Sequence, residues 1–316
     1  MGFPRLELLV ARYRDEPRAD PAAQVPPALL LGDSTLERVS DGDTDTANLG
    51  ARIRAGMPVR TLVLSCPAYS PVHFAAYAQV LAVLPARPRL VIAPVNIRCL
   101  SPQWDALPRY RWLHHLAAIR RCLADPEGPV PEAPPALDEA EAAALHAQAR
   151  ARRVASAITG ETTVGALEDI RDSGPTDAAG RRARVRQVLA YHYGLPFAPD
   201  HPCLLALGDM TRTLRGAGVW VLIYATPVNV DFAEMLDGPE MRRTIADKVA
   251  AARDAIRAAA GDDPGVAFLD LHATCRADHF FHRGYMVEHL DQHGRAALAE
   301  RVVAEAAAML RDRPGN

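Results

Sequence analysis

Five strand-length apolar runs recur along the chain: Ala28–Leu31, Arg60–Ser65, Leu90–Asn96, Val219–Ala225 and Val266–Leu271. Runs such as LVIAPVN and VWVLIYATPV do not alternate apolar with polar residues, so neither face of such a strand is meant for water. Strands covered on both faces are the mark of a parallel sheet between helical layers. Helix-like segments separate the runs at Val72–Leu84, Pro108–Leu123, Leu204–Arg215, Pro239–Ala260 and Gly294–Leu310. The alternation predicts an α/β fold with a central parallel sheet and helices on both sides. With 49% of its 316 residues hydrophobic, the chain can bury a core of that size.

One stretch breaks the pattern. From Asp125 the sequence PEGPVPEAPPALDEAEAAALHAQARARR passes from a proline-rich linker into a solvated Ala/Glu/Arg helix. Residues 126–200 read as a mostly helical insertion between two strand units of one domain spanning 1–316, either a lid or pocket wall or an excursion without function.

The formal net charge of −2 gives no reason to expect nucleic acid or an anionic membrane as partner. No segment has the twenty or so apolar residues of a membrane span, and the amino terminus lacks a secretory pattern. Cys66, Cys99, Cys122, Cys203 and Cys275 are odd in number and scattered, as reduced thiols are, so the cytoplasm is the expected compartment.

Ligands of open parallel sheets bind at the carboxyl ends of the strands. There this chain carries Gly32–Asp33–Ser34 after the first run, SCPAYS (65–70) after the second, and Asn96 and Arg98 after the third. Gly32 and its polar neighbours suit a tight turn with a helix cap, or a serine nucleophile presented at a strand mouth. Five of the 11 histidines, His272, His279, His282, His289 and His293, fall in residues 270–302, but their spacing matches no recognised zinc pattern. Asp41, Asp43 and Asp45 begin like a calcium loop, yet Thr46 and Arg52 stand where glycine and glutamate would be needed.

Taken together, Gly32–Asp33–Ser34, Asn96, and His289–Leu290 with Gly294 and Ala299 resemble, in order and across most of the chain, the SGNH (GDSL) hydrolases. The resemblance implies a flavodoxin-like three-layer α/β/α fold and a serine hydrolase acting through an acyl-serine, with no cofactor and no metal. It implies Ser34 as nucleophile and His289 as base, a pairing that gives the weakly nucleophilic hydroxyl an acceptor for its proton. The oxyanion donors would be the backbone N–H groups of Ser34 and Ala68 and the side chain of Asn96. The expected partner is a small-molecule or carrier-bound acyl substrate.

Three departures from the family pattern are visible. Ala68 stands where glycine is expected, Pro94–Val95–Asn96–Ile97 replaces G-x-N-D, and Met286 occupies the position of the aspartate that orients the histidine. Glu288 is the nearest substitute for that acid, with Asp278 and Asp270 further off, unless a Ser–His dyad suffices. Arg98 could bind an anionic substrate or pair with Asp33, Asp41 or Asp105; Trp104 could grip an acyl group or pack in the core. An acyltransferase would use the same machinery, and a degenerate binding protein would keep the fold alone.

Overall fold

The computed structural model describes residues 28–84, 86–101, 116–117, 119, 139–172, 177–281 and 288–312. Trp104, Asp105, Cys122, His282, Met286 and most of the segment Pro108–Leu123 lie outside them.

All five apolar runs form strands of one sheet: β1 (Ala28–Gly32), β2 (Thr61–Ser65), β3 (Leu90–Val95), β6 (Trp220–Ala225) and β7 (Val266–Leu269). Their order is β2-β1-β3-β6-β7, and every neighbouring pair is parallel. Counting only this sheet, the order is 2-1-3-4-5, the doubly wound flavodoxin-like arrangement, in which strand order reverses between the first and third strands.

Side chains leave each strand alternately toward two helical layers. Leu29, Leu31, Val91, Ala93, Val221 and Ile223 face a core shared with helices Pro71–Val83, Pro202–Gly216 and Pro239–Ala260. Leu30, Ile92, Leu222 and Tyr224 face the other, built with helices Leu49–Gly56 and Gln292–Asp312. These strand positions are fully buried, and each such aliphatic side chain contributes about 1.5–3 kcal/mol. The chain is therefore a three-layer α/β/α protein.

The stretch between β3 and β6 is less uniformly helical than its composition predicts. Besides helices Glu139–Ala151, Val164–Asp172 and Ala178–Leu189, it holds an antiparallel hairpin of β4 (Arg153–Ser156) and β5 (Gly160–Thr163). Val154, Val164, Leu167, Tyr191 and Leu195 give it a small core of its own. It ends in a π-helical turn, Ala190–Gly194, a local geometry found mostly at functional sites. No helix among the described residues is long and apolar enough to cross a membrane.

Candidate active site

Gly32, the last residue of β1, sits where a Cβ would come within 2.0 Å of Leu36 Cδ1. The glycine is needed for space and not, as the turn chemistry suggested, for a left-handed backbone. Asp33 then caps the short helix Ser34–Glu37: its Oδ1 accepts from the Thr35 backbone N–H (2.8 Å) and from Thr35 Oγ1 (2.6 Å). Ser34 follows at the first helical position, 8% exposed.

His289 reaches Ser34 from 255 positions away; its Nε2 lies 3.2 Å from Ser34 Oγ. A short antiparallel bridge holds the histidine's backbone: Phe281 N–H donates to His289 O (3.3 Å), and Asp291 N–H to His279 O (2.8 Å). The Phe281 ring stacks on the imidazole with centroids 5.5 Å apart. Asp291 also starts the last helix, accepting from the backbone N–H groups of His293 (3.0 Å) and Gly294 (2.8 Å). Gly294 permits this approach, since a Cβ there would stand 2.9 Å from the His279 carbonyl.

Asn96 follows β3, so it lies beside the end of β1 across the point where strand order reverses. Its amide is held at both ends: Oδ1 accepts from the Arg98 backbone N–H (3.1 Å), and Nδ2 donates to Asp33 Oδ2 (3.3 Å). Burial pushes the Asp33 carboxyl upward, opposed by its bonds from Thr35; the Glu288 charge adds to the rise and Arg98 offsets it. Asp33 thus orients Asn96 while capping the helix of Ser34.

Ala68 lies in the turn after β2, where Tyr69 N–H donates to Cys66 O (3.1 Å) and Ser70 starts the next helix in a reciprocal cap with His73. Its φ is +64°, so alanine adopts a backbone that normally calls for glycine. The structure thus explains why glycine was expected there, and shows alanine bearing the strain.

Glu288 differs from its expected placement. Its carboxylate is buried, accepts from the Tyr193 hydroxyl, and lies 3.5 Å from Arg98 Nε. Its Oε2 has no hydrogen-bond partner, and neither oxygen bonds the imidazole of His289. The reason is local: successive side chains of the extended segment before the last helix point to opposite sides. Arg98 accordingly pairs with Glu288 and not with Asp33 or Asp41. Tyr193 lies on the π-helical turn, and its part in this cluster could not be read from the sequence. The other substitutes lie elsewhere: Asp278 pairs with Arg276 (3.1 Å), and Asp270 with His272 (2.5 Å).

Asp43 and Asp45 bind guanidinium groups: Asp43 pairs with Arg295 (2.7 Å) and Asp45 with Arg52 (2.5 Å). Among the described residues, no group of three His, Cys, Asp or Glu side chains is placed to hold a metal ion. Cys66, Cys99, Cys203 and Cys275 are buried free thiols.

No family model matches the chain, and no curated protein sequence matches it significantly. Among solved structures, those it is similar to include variants of Axe2 from Geobacillus stearothermophilus. An acetyl-xylooligosaccharide esterase variant aligns over 89% of this chain and 95% of its own, at 11% identity and a TM-score of 0.43. A catalytic variant of the same acetylxylan esterase covers 89% and 94%, at 11% identity and a TM-score of 0.41. So loose a superposition transfers no residue and no substrate to this chain.

Proposed function

We propose that the protein is a serine esterase of the SGNH type, cleaving a carboxylic ester or thioester through an acyl-Ser34 intermediate. The observation that carries the reading is the 3.2 Å contact between Ser34 Oγ and His289 Nε2, at the sheet's reversal point. His289 Nε2 takes the hydroxyl proton as Ser34 Oγ bonds to the acyl carbon; such base catalysis is worth about 10²–10⁴-fold. The bond to the leaving group then breaks, and His289 returns the proton to that group. Water, deprotonated in turn by His289, attacks the acyl carbon and frees Ser34.

The negative charge on the carbonyl oxygen falls between Asn96 Nδ2 and the backbone N–H groups of Ser34 and Ala68. Fixed donors of this kind are each worth about 10²–10³ in kcat. Asn96 is suited to the task because Asp33 and the Arg98 backbone already set its orientation, so no ordering is needed during reaction. Glu288 is not assigned as the acid of a triad; the proposal rests on the Ser34–His289 pair. Arg98 and Trp104 remain proposed contacts for the acyl substrate, which is a small molecule or is bound to a carrier.

A fluorophosphonate probe with peptide mass mapping tests the reading. Labelling of Ser34 that is lost in Ser34→Ala, with the fold retained, is the expected result. No labelling at all would make the chain a binding protein that kept only the fold. Acyl transfer to an added alcohol in preference to water would make it an acyltransferase.

A further inference from the structure

The acidic run Asp41–Thr46 binds no cation in the proposed reading, yet its backbone and side chains are tied to the segment that carries His289. Arg295 is fully buried, one turn into the last helix. Its guanidinium makes four hydrogen bonds: Nη1 donates to Asp43 Oδ2 (2.7 Å) and to Leu290 O (2.8 Å), Nη2 to Asp45 O (2.9 Å), and Nε to Ala47 O (3.1 Å). Leu290 is the residue after the histidine; residues 43–47 follow the helix of Ser34.

Reciprocal contacts repeat the link. Gln292 N–H donates to Asp43 Oδ1 (3.2 Å), while Gln292 Oε1 accepts from Asp45 N–H (2.7 Å) and Thr44 Oγ1 (2.9 Å). The Asp43 side chain is only 5% exposed and also accepts from Ser40 N–H (3.0 Å). A planar fork with several donors fixes geometry in a way that a point charge cannot. Two segments more than 240 positions apart are thereby held in one register on either side of the Ser34–His289 contact.

We propose that Arg295 and Asp43 are positioning residues that set the distance between the Ser34 hydroxyl and the His289 imidazole. This deepens the serine-esterase reading and rests on it for its kinetic consequence. Neither group touches the substrate. Their effect is transmitted through the Leu290 carbonyl to the adjoining histidine, and through residues 43–47 back toward the helix of Ser34.

The test uses Asp43→Asn and Arg295→Lys in the full chain, with turnover of a short-chain acyl ester, fluorophosphonate labelling rate and crystal structures as readouts. Misplacement by about 1 Å can cost about 10²-fold, so kcat is expected to fall roughly 10- to 100-fold with KM within about twofold. In a His289→Ala background Asp43→Asn should add nothing, because its effect passes through that ring. A further equal loss there would reduce the pair to general stability and overturn the proposal. Arg212→Met, which removes the exposed partner of Asp209 on helix Pro202–Gly216 and touches neither segment, should leave turnover unchanged; an equal loss in it would also overturn the proposal.

Should Arg295→Lys fail to fold, Asp43→Asn alone carries the test. Should the wild-type protein take no label and turn nothing over, the esterase reading fails, and geometry then decides on the pair. A crystal structure of Asp43→Asn with Ser34 and His289 still at their wild-type separation would overturn the positioning role. A widened contact would uphold it.

Discussion

Glu288 and His289 are adjacent in the chain and face opposite environments. The imidazole lies 3.2 Å from the Ser34 hydroxyl, while the carboxylate is buried against Tyr193 and Arg98. Glu288→Gln should therefore cost kcat less than about tenfold, far below the loss of about 10⁴ seen when a triad acid is neutralised. Tyr193→Phe should lower unfolding free energy by about 1–3 kcal/mol, since it takes the hydroxyl donor from a buried carboxylate. Steady-state kinetics and urea melts check the pair. A loss of several orders of magnitude in Glu288→Gln would restore it as the acid.

Asn96→Ala should lower kcat about a hundredfold or more with little change in KM, because the oxyanion bond strengthens only in the transition state. Asn96→Asp should be worse, as it sets a second carboxylate beside Asp33 Oδ2. A change confined to KM would instead make Asn96 a substrate-binding residue.

Ala68→Gly weighs two opposed effects. The left-handed backbone costs alanine about 1–2 kcal/mol, and glycine returns about 0.4–1 kcal/mol of that to the unfolded chain. A net gain of up to about 1 kcal/mol is expected, with turnover retained because the backbone N–H is unchanged. Ala68→Val should destabilise. Thermal melts of the three proteins give the order directly.

Lys248 is fully buried, donates to Ser101 Oγ (3.0 Å) and sits 5.8 Å from the Phe197 ring centre; among the described residues no carboxylate pairs with it. Burial pushes its ammonium down to about 7, from an ordinary value of 10.5. Between those values the unfolded chain binds the proton and the folded chain does not, so stability should rise as the pH climbs from about 7 toward 10.5. Lys248→Met should raise stability near and below neutral pH and flatten that rise. Denaturant titrations at several pH values test both statements; an unaltered slope in Lys248→Met would assign it to other groups.

The central strands β1, β3 and β6 were legible because burial on both faces leaves unbroken apolar runs, while the edge strands β2 and β7 are only partly buried and were legible from shorter apolar runs. Helix Pro239–Ala260 was readable to its ends for a related reason: proline opens it and Gly261, at φ +61°, closes it. Leu49–Gly56 was not anticipated, since LGARIRAG is short and buries only Leu49, Gly50 and Ile53. The β4–β5 hairpin escaped for want of an apolar face; Val154 is its sole buried residue. At the site, Ser34 and Asn96 stand at strand ends, and these two and His289 stood out through their shared resemblance to the SGNH pattern. The partners of Glu288, Arg98 and Asp43 did not, because pairings across 95 to 252 positions leave no periodic trace.

The hydroxyl that meets Glu288 belongs to Tyr193, within the long excursion between β3 and β6. That excursion is consequently not a detachable module. Splicing it out, or exchanging it for the corresponding loop of another α/β protein, would take the hydroxyl donor from a buried carboxylate and leave it the Arg98 contact, directly behind the segment that presents the histidine. A graft at that seam therefore has to supply a new donor to the Glu288 carboxylate.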